Sequence, residues 1–167
     1  MPTMPLPEGA PATLGEAFAH IGKVTAPSVL DMKVMVLTEA AAMALYYKTA
    51  ELTDDPRVKD LLQKNGREEM LHAQRAMLAI KTVSGEDFHA PLPEDNPYLA
   101  GGAFPLGEMT KAGLEKLAQG EFGGEKLYEI WADNTPNPEA ARLFRLNGGE
   151  ERDHGNRLLE AAGLLGV

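Results

Sequence analysis

Two octapeptides of this chain carry the residue types that hold metal ions. NGREEMLH, residues 65–72, and NGGEERDH, residues 147–154, share an Asn-Gly pair, a Glu-Glu pair and a closing His at identical places. Glu69 and His72, like Glu151 and His154, stand three residues apart, a spacing that puts both side chains on one face of a helix. Carboxylate and imidazole presented together offer hard oxygen and nitrogen donors, which suit iron or manganese. One such pair is ordinary surface decoration. Two copies, set in a wider repeat, are a different observation.

That repeat is exact in register. A gapless shift of 82 residues lays Glu39 on Glu121, Tyr46 on Tyr128, Pro56 on Pro138, Asn65 on Asn147 and Gly66 on Gly148. It also pairs Glu68 with Glu150, Glu69 with Glu151, His72 with His154 and Arg75 with Arg157. Self-similarity of this kind makes each half one structural unit, and two units packed face to face generate a pseudo-two-fold axis. Whatever lies on the axis is supplied by both halves.

The elements that must position these residues read as helices. Ser28 with Asp31 has the form of a capping box opening a helix that runs to about Leu52. Asp55 and Pro56 open a second, to about Val83, and Asn137 and Pro138 open the last, to about Gly163. A third spans roughly 108–133. Residues 84–107 hold too much Pro and Gly for a regular element and read as a long crossover, and no segment alternates as a strand would. The expected fold is all-α: two helical hairpins joined by one long connection, the connectivity of a four-helix bundle. Residues 1–27 read as an N-terminal arm with one short helix near 12–21, and 28–167 as the domain.

Helical spacing selects what faces inward. Val58, Leu62, Asn65, Glu69, His72, Ala76, Ile80 and Val83 form one stripe, and Ala140, Phe144, Asn147, Glu151, His154, Leu158 and Ala162 another. The other two helices contribute Met32, Met35, Glu39 and Tyr46, and Leu114, Leu117, Glu121 and Tyr128. Four Glu and two His therefore converge among apolar residues. Unpaired, each buried carboxylate would cost several kcal/mol, so two cations are expected between them. A Glu from each of two helices and a Glu-x-x-His from each of the others is the donor set of di-iron and di-manganese carboxylate bundles.

The neighbours of this set admit plainer readings. Glu68 and Glu150 point about 100° away around the helix and are expected to be solvated or to support a ligand from behind. Tyr46 and Tyr128 are either core aromatics whose hydroxyls find some partner or, the preferred reading, donors to a ligand carboxylate across the bundle. Gly66, Gly120, Gly123, Gly124 and Gly148 fall inside helices at a cost of about 0.5–1 kcal/mol each relative to Ala. Close helix approach, a π-bulge or room for a small oxidant would compensate. His20 and His89 lie outside the pattern and read as surface or packing residues.

Composition narrows the classes further. The chain has 167 residues, no cysteine and a net charge of −9. Disulfides and thiolate sites are excluded, and the acidity disfavours a nucleic-acid partner, part of it being internal if carboxylates face cations. With no signal-like start and no long apolar run, no membrane partner is expected and a cytoplasmic location is.

With these motifs, residues 28–163 resemble the ferritin-like superfamily and, within it, the rubrerythrin-like di-iron proteins. The resemblance implies a ferritin-like four-helix bundle with two iron ions, manganese being the alternative, held by Glu39, Glu69, His72, Glu121, Glu151 and His154. It implies tyrosines bonded to ligand carboxylates at Tyr46 and Tyr128. The implied activity is that of a peroxidase or ferroxidase reacting with hydrogen peroxide or dioxygen. Iron storage, a manganese catalase and a di-iron hydroxylase are the alternatives, and a small homo-oligomer such as a dimer is expected. Two features depart from the family. Rubrerythrins usually carry a four-cysteine rubredoxin-type domain, and this sequence has no cysteine, so an external electron donor is expected. They also tend to place a second Glu three residues after the third-helix ligand, where this chain has Gly124; Glu125, one position on, is the expected stand-in ligand.

Overall fold

A computed structural model describes residues 4–100 and 106–166. The described residues form an all-α fold of five helices and no strand: α1 (Leu14–Ile21), α2 (Val29–Ala50), α3 (Pro56–Ser84), α4 (Lys111–Asp133) and α5 (Pro138–Leu165). Each long helix starts at a side-chain cap. Ser28 and Asp31 close a reciprocal capping box on α2. Asp55 and Asn137 cap α3 and α5, each followed by Pro at the first turn, and Thr110 accepts from the amide of Gly113 to start α4. That cap sets the start of α4 at Lys111, three residues later than the sequence pattern suggested. Gly85, at φ 73°, ends α3 in a left-handed turn that favours glycine.

Helices α2 and α3 pack as one antiparallel pair, α4 and α5 as the other, and α3 meets α5 between them. The α3–α5 seam is stitched by symmetric bonds. Asn65 Nδ2 donates to the carbonyl of His154 at 3.2 Å, and Asn147 Nδ2 donates to that of His72 at 3.1 Å. Both asparagines are fully buried, so each bond also satisfies an amide that would be costly to strand.

Two apolar layers enclose a polar one. At one end Met32, Met35, Ala76, Ile80, Trp131 and Phe144 pack together; at the other, Ala50, Val58, Leu62, Leu114, Leu158 and Ala162. The inward stripes on α3 and α5 are buried throughout except Val83, at the solvent end of α3.

The halves are not dressed alike. Every residue of α2 from Val34 to Ala41 is buried, and a helix apolar all round must be covered on its outer side too. The cover comes from the arm and the crossover. Helix α1 packs on α2, tied by His20 Nε2 to Asp31 at 2.7 Å. Within the crossover, two short 3₁₀ turns, Pro93–Asp95 and Pro97–Leu99, replace the wholly irregular chain expected there. They bring Asn96 Nδ2 to the Leu37 carbonyl at 2.9 Å and the Tyr98 hydroxyl to the Pro11 carbonyl at 2.8 Å. Trp131 donates to the Val24 carbonyl, fastening the arm's exit to α4. The outer side of α4 has no such cover among the described residues, and Gly120 and Gly123 there are exposed. No helix of the described residues is long and apolar enough to cross a membrane.

Candidate metal centre

The polar layer gathers all six expected donors from four helices. Glu39 comes from α2, Glu69 and His72 from α3, Glu121 from α4, and Glu151 and His154 from α5. Two groups of four, Glu39/Glu69/His72/Glu151 and Glu69/Glu121/Glu151/His154, each bring donor atoms within 4.8 Å of one another. Glu69 and Glu151 belong to both.

The distances show how the two shared carboxylates divide. His72 Nδ1 lies 3.2 Å from Glu69 Oε2 and 3.3 Å from Glu151 Oε1. His154 Nδ1 lies 3.3 Å from Glu69 Oε1 and 3.9 Å from Glu151 Oε2. Each carboxylate thus offers one oxygen to each imidazole, the disposition of a bridge. Glu39 faces only the His72 side, at 4.0 Å, and Glu121 only the His154 side, at 3.7 Å. The two rings stack with centroids 5.0 Å apart across the pseudo-two-fold axis.

The electrostatics call for cations. Burial, with the nearby charge of Glu69, pushes the Glu39 carboxyl well up, and burial with the charges of Glu121 and Glu69 does the same to Glu151. Burial also opposes ionisation of Glu69, yet the His154 and His72 rings 3.2–3.3 Å away prevail and hold it well below the usual range. For His72 burial disfavours the charged ring, but the carboxylates of Glu150 and Glu69 override it and raise it to about 10; Glu121 and Glu69 do so for His154, also to about 10. Protons thereby occupy the places where positive charge is needed. Even so, Glu69 Oε2, His72 Nδ1, His72 Nε2 and His154 Nδ1 are buried with no hydrogen-bond partner. Buried polar atoms are almost always satisfied, so Glu69 Oε2 and the two Nδ1 atoms, all within the polar layer, could hold a metal ion.

What lies behind the donors completes the arrangement. The Tyr46 hydroxyl donates to Glu121 Oε1 at 2.6 Å, and Tyr128 donates to Glu39 Oε1. Both bonds cross between the hairpins, as the preferred reading of these tyrosines expected. Burial and the adjacent carboxylates push both phenols well above the usual range, so they stay protonated donors.

Glu68 and Glu150 do more than meet solvent. Glu68 Oε2 lies 3.1 Å from His154 Nε2, and Glu150 Oε2 lies 3.6 Å from His72 Nε2, just beyond hydrogen-bond length. Arg157 holds Glu68 and Asn65 Oδ1, while Arg75 holds Glu150 and Asn147 Oδ1. An ionised carboxylate only accepts, so the His154 nitrogen facing Glu68 carries a proton, and Nδ1 is the nitrogen left to a cation once its own proton is displaced. In each network the Glu and Asn come from one hairpin and the Arg and His from the other. The repeat had already paired these residues, but their contacts across the seam are visible only in three dimensions.

Glu125 is not brought to the centre. Its carboxylate pairs with Arg152, whose Nε donates to it at 2.7 Å, because one residue past Gly124 turns the side chain away from the inward face of α4. Gly124 itself lies against the centre: a Cβ added there would stand 3.2 Å from Glu151 Cδ and 3.3 Å from its Oε2. Gly66 and Gly148 permit close approach to Tyr46 with Tyr47 and to Tyr128, respectively. All five glycines lie in regular α-helix, with no π-bulge.

The chain is therefore an all-helical protein with a buried Glu/His cluster able to hold a metal ion. No known family model matches the sequence, and no curated protein or solved structure is significantly similar to it.

Proposed function

We propose that the fold is a ferritin-like four-helix bundle and that the cluster binds two iron ions, reacting as a rubrerythrin-like peroxidase or ferroxidase with hydrogen peroxide or dioxygen. One observation carries the reading. Glu69 and Glu151 each present one oxygen to each of two imidazole Nδ1 atoms that have no partner inside the protein.

Bound iron would supply the electrons for reducing the oxygen species. The chain's own residues do the rest. Glu39 with His72, and Glu121 with His154, would hold the two ions, with Glu69 and Glu151 available to both. Tyr46 and Tyr128 fix the terminal carboxylates from across the bundle, and the two apolar layers keep bulk water out. With no cysteine in the chain, re-reduction falls to an external donor.

The test combines metal analysis with reactivity. Anaerobic ferrous loading is expected to give about two irons per chain, with oxidation much faster by peroxide than by air. Fast oxidation by air with continued iron uptake would point to storage instead. A chain that takes up no metal, or that keeps its metal in the His72→Ala/His154→Ala double variant, would refute the two-metal assignment.

A further inference from the structure

The repeat makes the two metal positions formally equivalent, and the structure makes them unequal. At the offset of 82 residues, Thr38, Ala41 and Ala42 of α2 correspond to Gly120, Gly123 and Gly124 of α4. Thr38 and Ala41 are buried beneath the arm and crossover, whereas Gly120 and Gly123 are exposed. The donors follow the same gradient. The Glu121 side chain is 17% exposed against 9% for Glu39, and Glu151 is 5% exposed against 1% for Glu69.

Gly124 is where this asymmetry reaches the centre. It is partly open to solvent, yet the three atoms nearest to a Cβ added there all belong to Glu151, with Oε2 at 3.3 Å, so that a single methyl would already crowd the oxygen. That same Oε2 lies 3.9 Å from His154 Nδ1, which is wholly buried and without a partner. A helix interior that gives up both a side chain and about 0.5–1 kcal/mol of propensity at this point calls for a compensating role. At the equivalent place in the other half stands Ala42, half-buried like Gly124 but carrying a methyl.

We propose that the metal position served by Glu121 and His154 is the open one: a small anionic ligand reaches it across Gly124 on the bare side of α4, while the Glu39/His72 position is closed. This rests on the two-metal reading above. Gly124 acts by leaving room, and the ligand class is a two- or three-atom oxidant or its anionic mimic.

Cobalt(II), which accepts the same oxygen and imidazole donors, and azide are the probes. Wild-type protein with two cobalt ions is expected to bind one azide per chain, followed by its visible absorption. Gly124→Ala is expected to weaken azide at least tenfold while keeping both ions. Gly123→Ala, where a methyl meets nothing within 4 Å, is expected to leave the affinity within twofold. In wild-type protein an excess of chelator should remove the two ions in two phases at least tenfold apart. Equal azide affinity in wild type and Gly124→Ala, no azide binding by the two-cobalt protein, or release of both ions at one common rate overturns the proposal. Should Gly124→Ala fail to load cobalt, the wild-type release phases decide. Wild-type protein that takes up no cobalt refutes the two-metal reading, and this inference with it.

Discussion

A histidine can offer a metal either ring nitrogen, and here the choice is made by residues outside the donor set. His154 has Glu68 behind its Nε2, and His72 has Glu150 behind its own. Burial works against ionisation of Glu150, but His72 and Arg75 hold it down to about 2, so it remains an acceptor across the usual pH range. Glu150→Gln and Glu68→Gln should each leave the fold intact and weaken metal binding about 10–100-fold, since the partner that orients the ring is lost. A metal-binding isotherm with wild-type affinity in both variants would contradict the role assigned to them. Tyr128→Phe takes away the only hydroxyl bonded to Glu39 among the described residues, and Glu39, a buried residue, has little water to turn to. It should cost about 1–3 kcal/mol of stability in denaturant unfolding of the metal-free protein.

At the scale of elements, caps and glycines separate local from tertiary causes. Asn137 accepts from the amides of Glu139 and Ala140, both at 3.0 Å, and Asn137→Ala should cost about 1 kcal/mol in the same assay. Two helical glycines should respond with opposite sign. Gly149 has open space around it, so Gly149→Ala should stabilise by about 0.5–1 kcal/mol. At Gly66 an added methyl would stand 3.1 Å from the Tyr47 ring, and Gly66→Ala should destabilise by about 1–3 kcal/mol. The octapeptides hold part of the answer, since Gly66 recurs as Gly148 while Gly149 stands where the first copy has Arg67, but the Tyr47 ring against Gly66 is visible only in three dimensions. That is the general boundary of what the sequence disclosed. Helix starts at Ser28, Asp55 and Asn137, the inward stripes and the six donors were legible because they rest on spacing and on the repeat, both properties of the chain itself. The cover over α2, the turns at Pro93 and Pro97, the pairing of Glu125 with Arg152 and the Arg–Glu–His networks were not. Each depends on which segments meet across hairpins, and spacing along one helix carries no such information.

The whole molecule couples its stability to what neutralises the polar layer. In the metal-free protein His72 and His154 hold their protons to about pH 10, against an ordinary 6.5, and Glu39 and Glu151 hold theirs well above 4.5. All four bind protons more tightly folded than unfolded, so all four make stability fall as pH rises. The histidine contribution is fully present below pH 6.5 and is lost as pH climbs through 10. Glu69 has the opposite sign, but its contribution is complete above about pH 4.5 and constant beyond. Between pH 6.5 and 10 nothing within the donor set opposes the decline. Metal ions change this, because they take neutral imidazoles and ionised carboxylates and displace the protons that would otherwise be lost. The Tm of metal-free protein should therefore drop by at least roughly 5 °C over that interval, while that of metal-loaded protein drops less. The stabilisation conferred by metal should widen steadily with pH, and loading at pH 7 should release protons that a weakly buffered indicator can count. A metal-free Tm that is level or rising from pH 6.5 to 10 would mean that the imidazoles are not paired with these carboxylates, and that the polar layer balances its charge some other way.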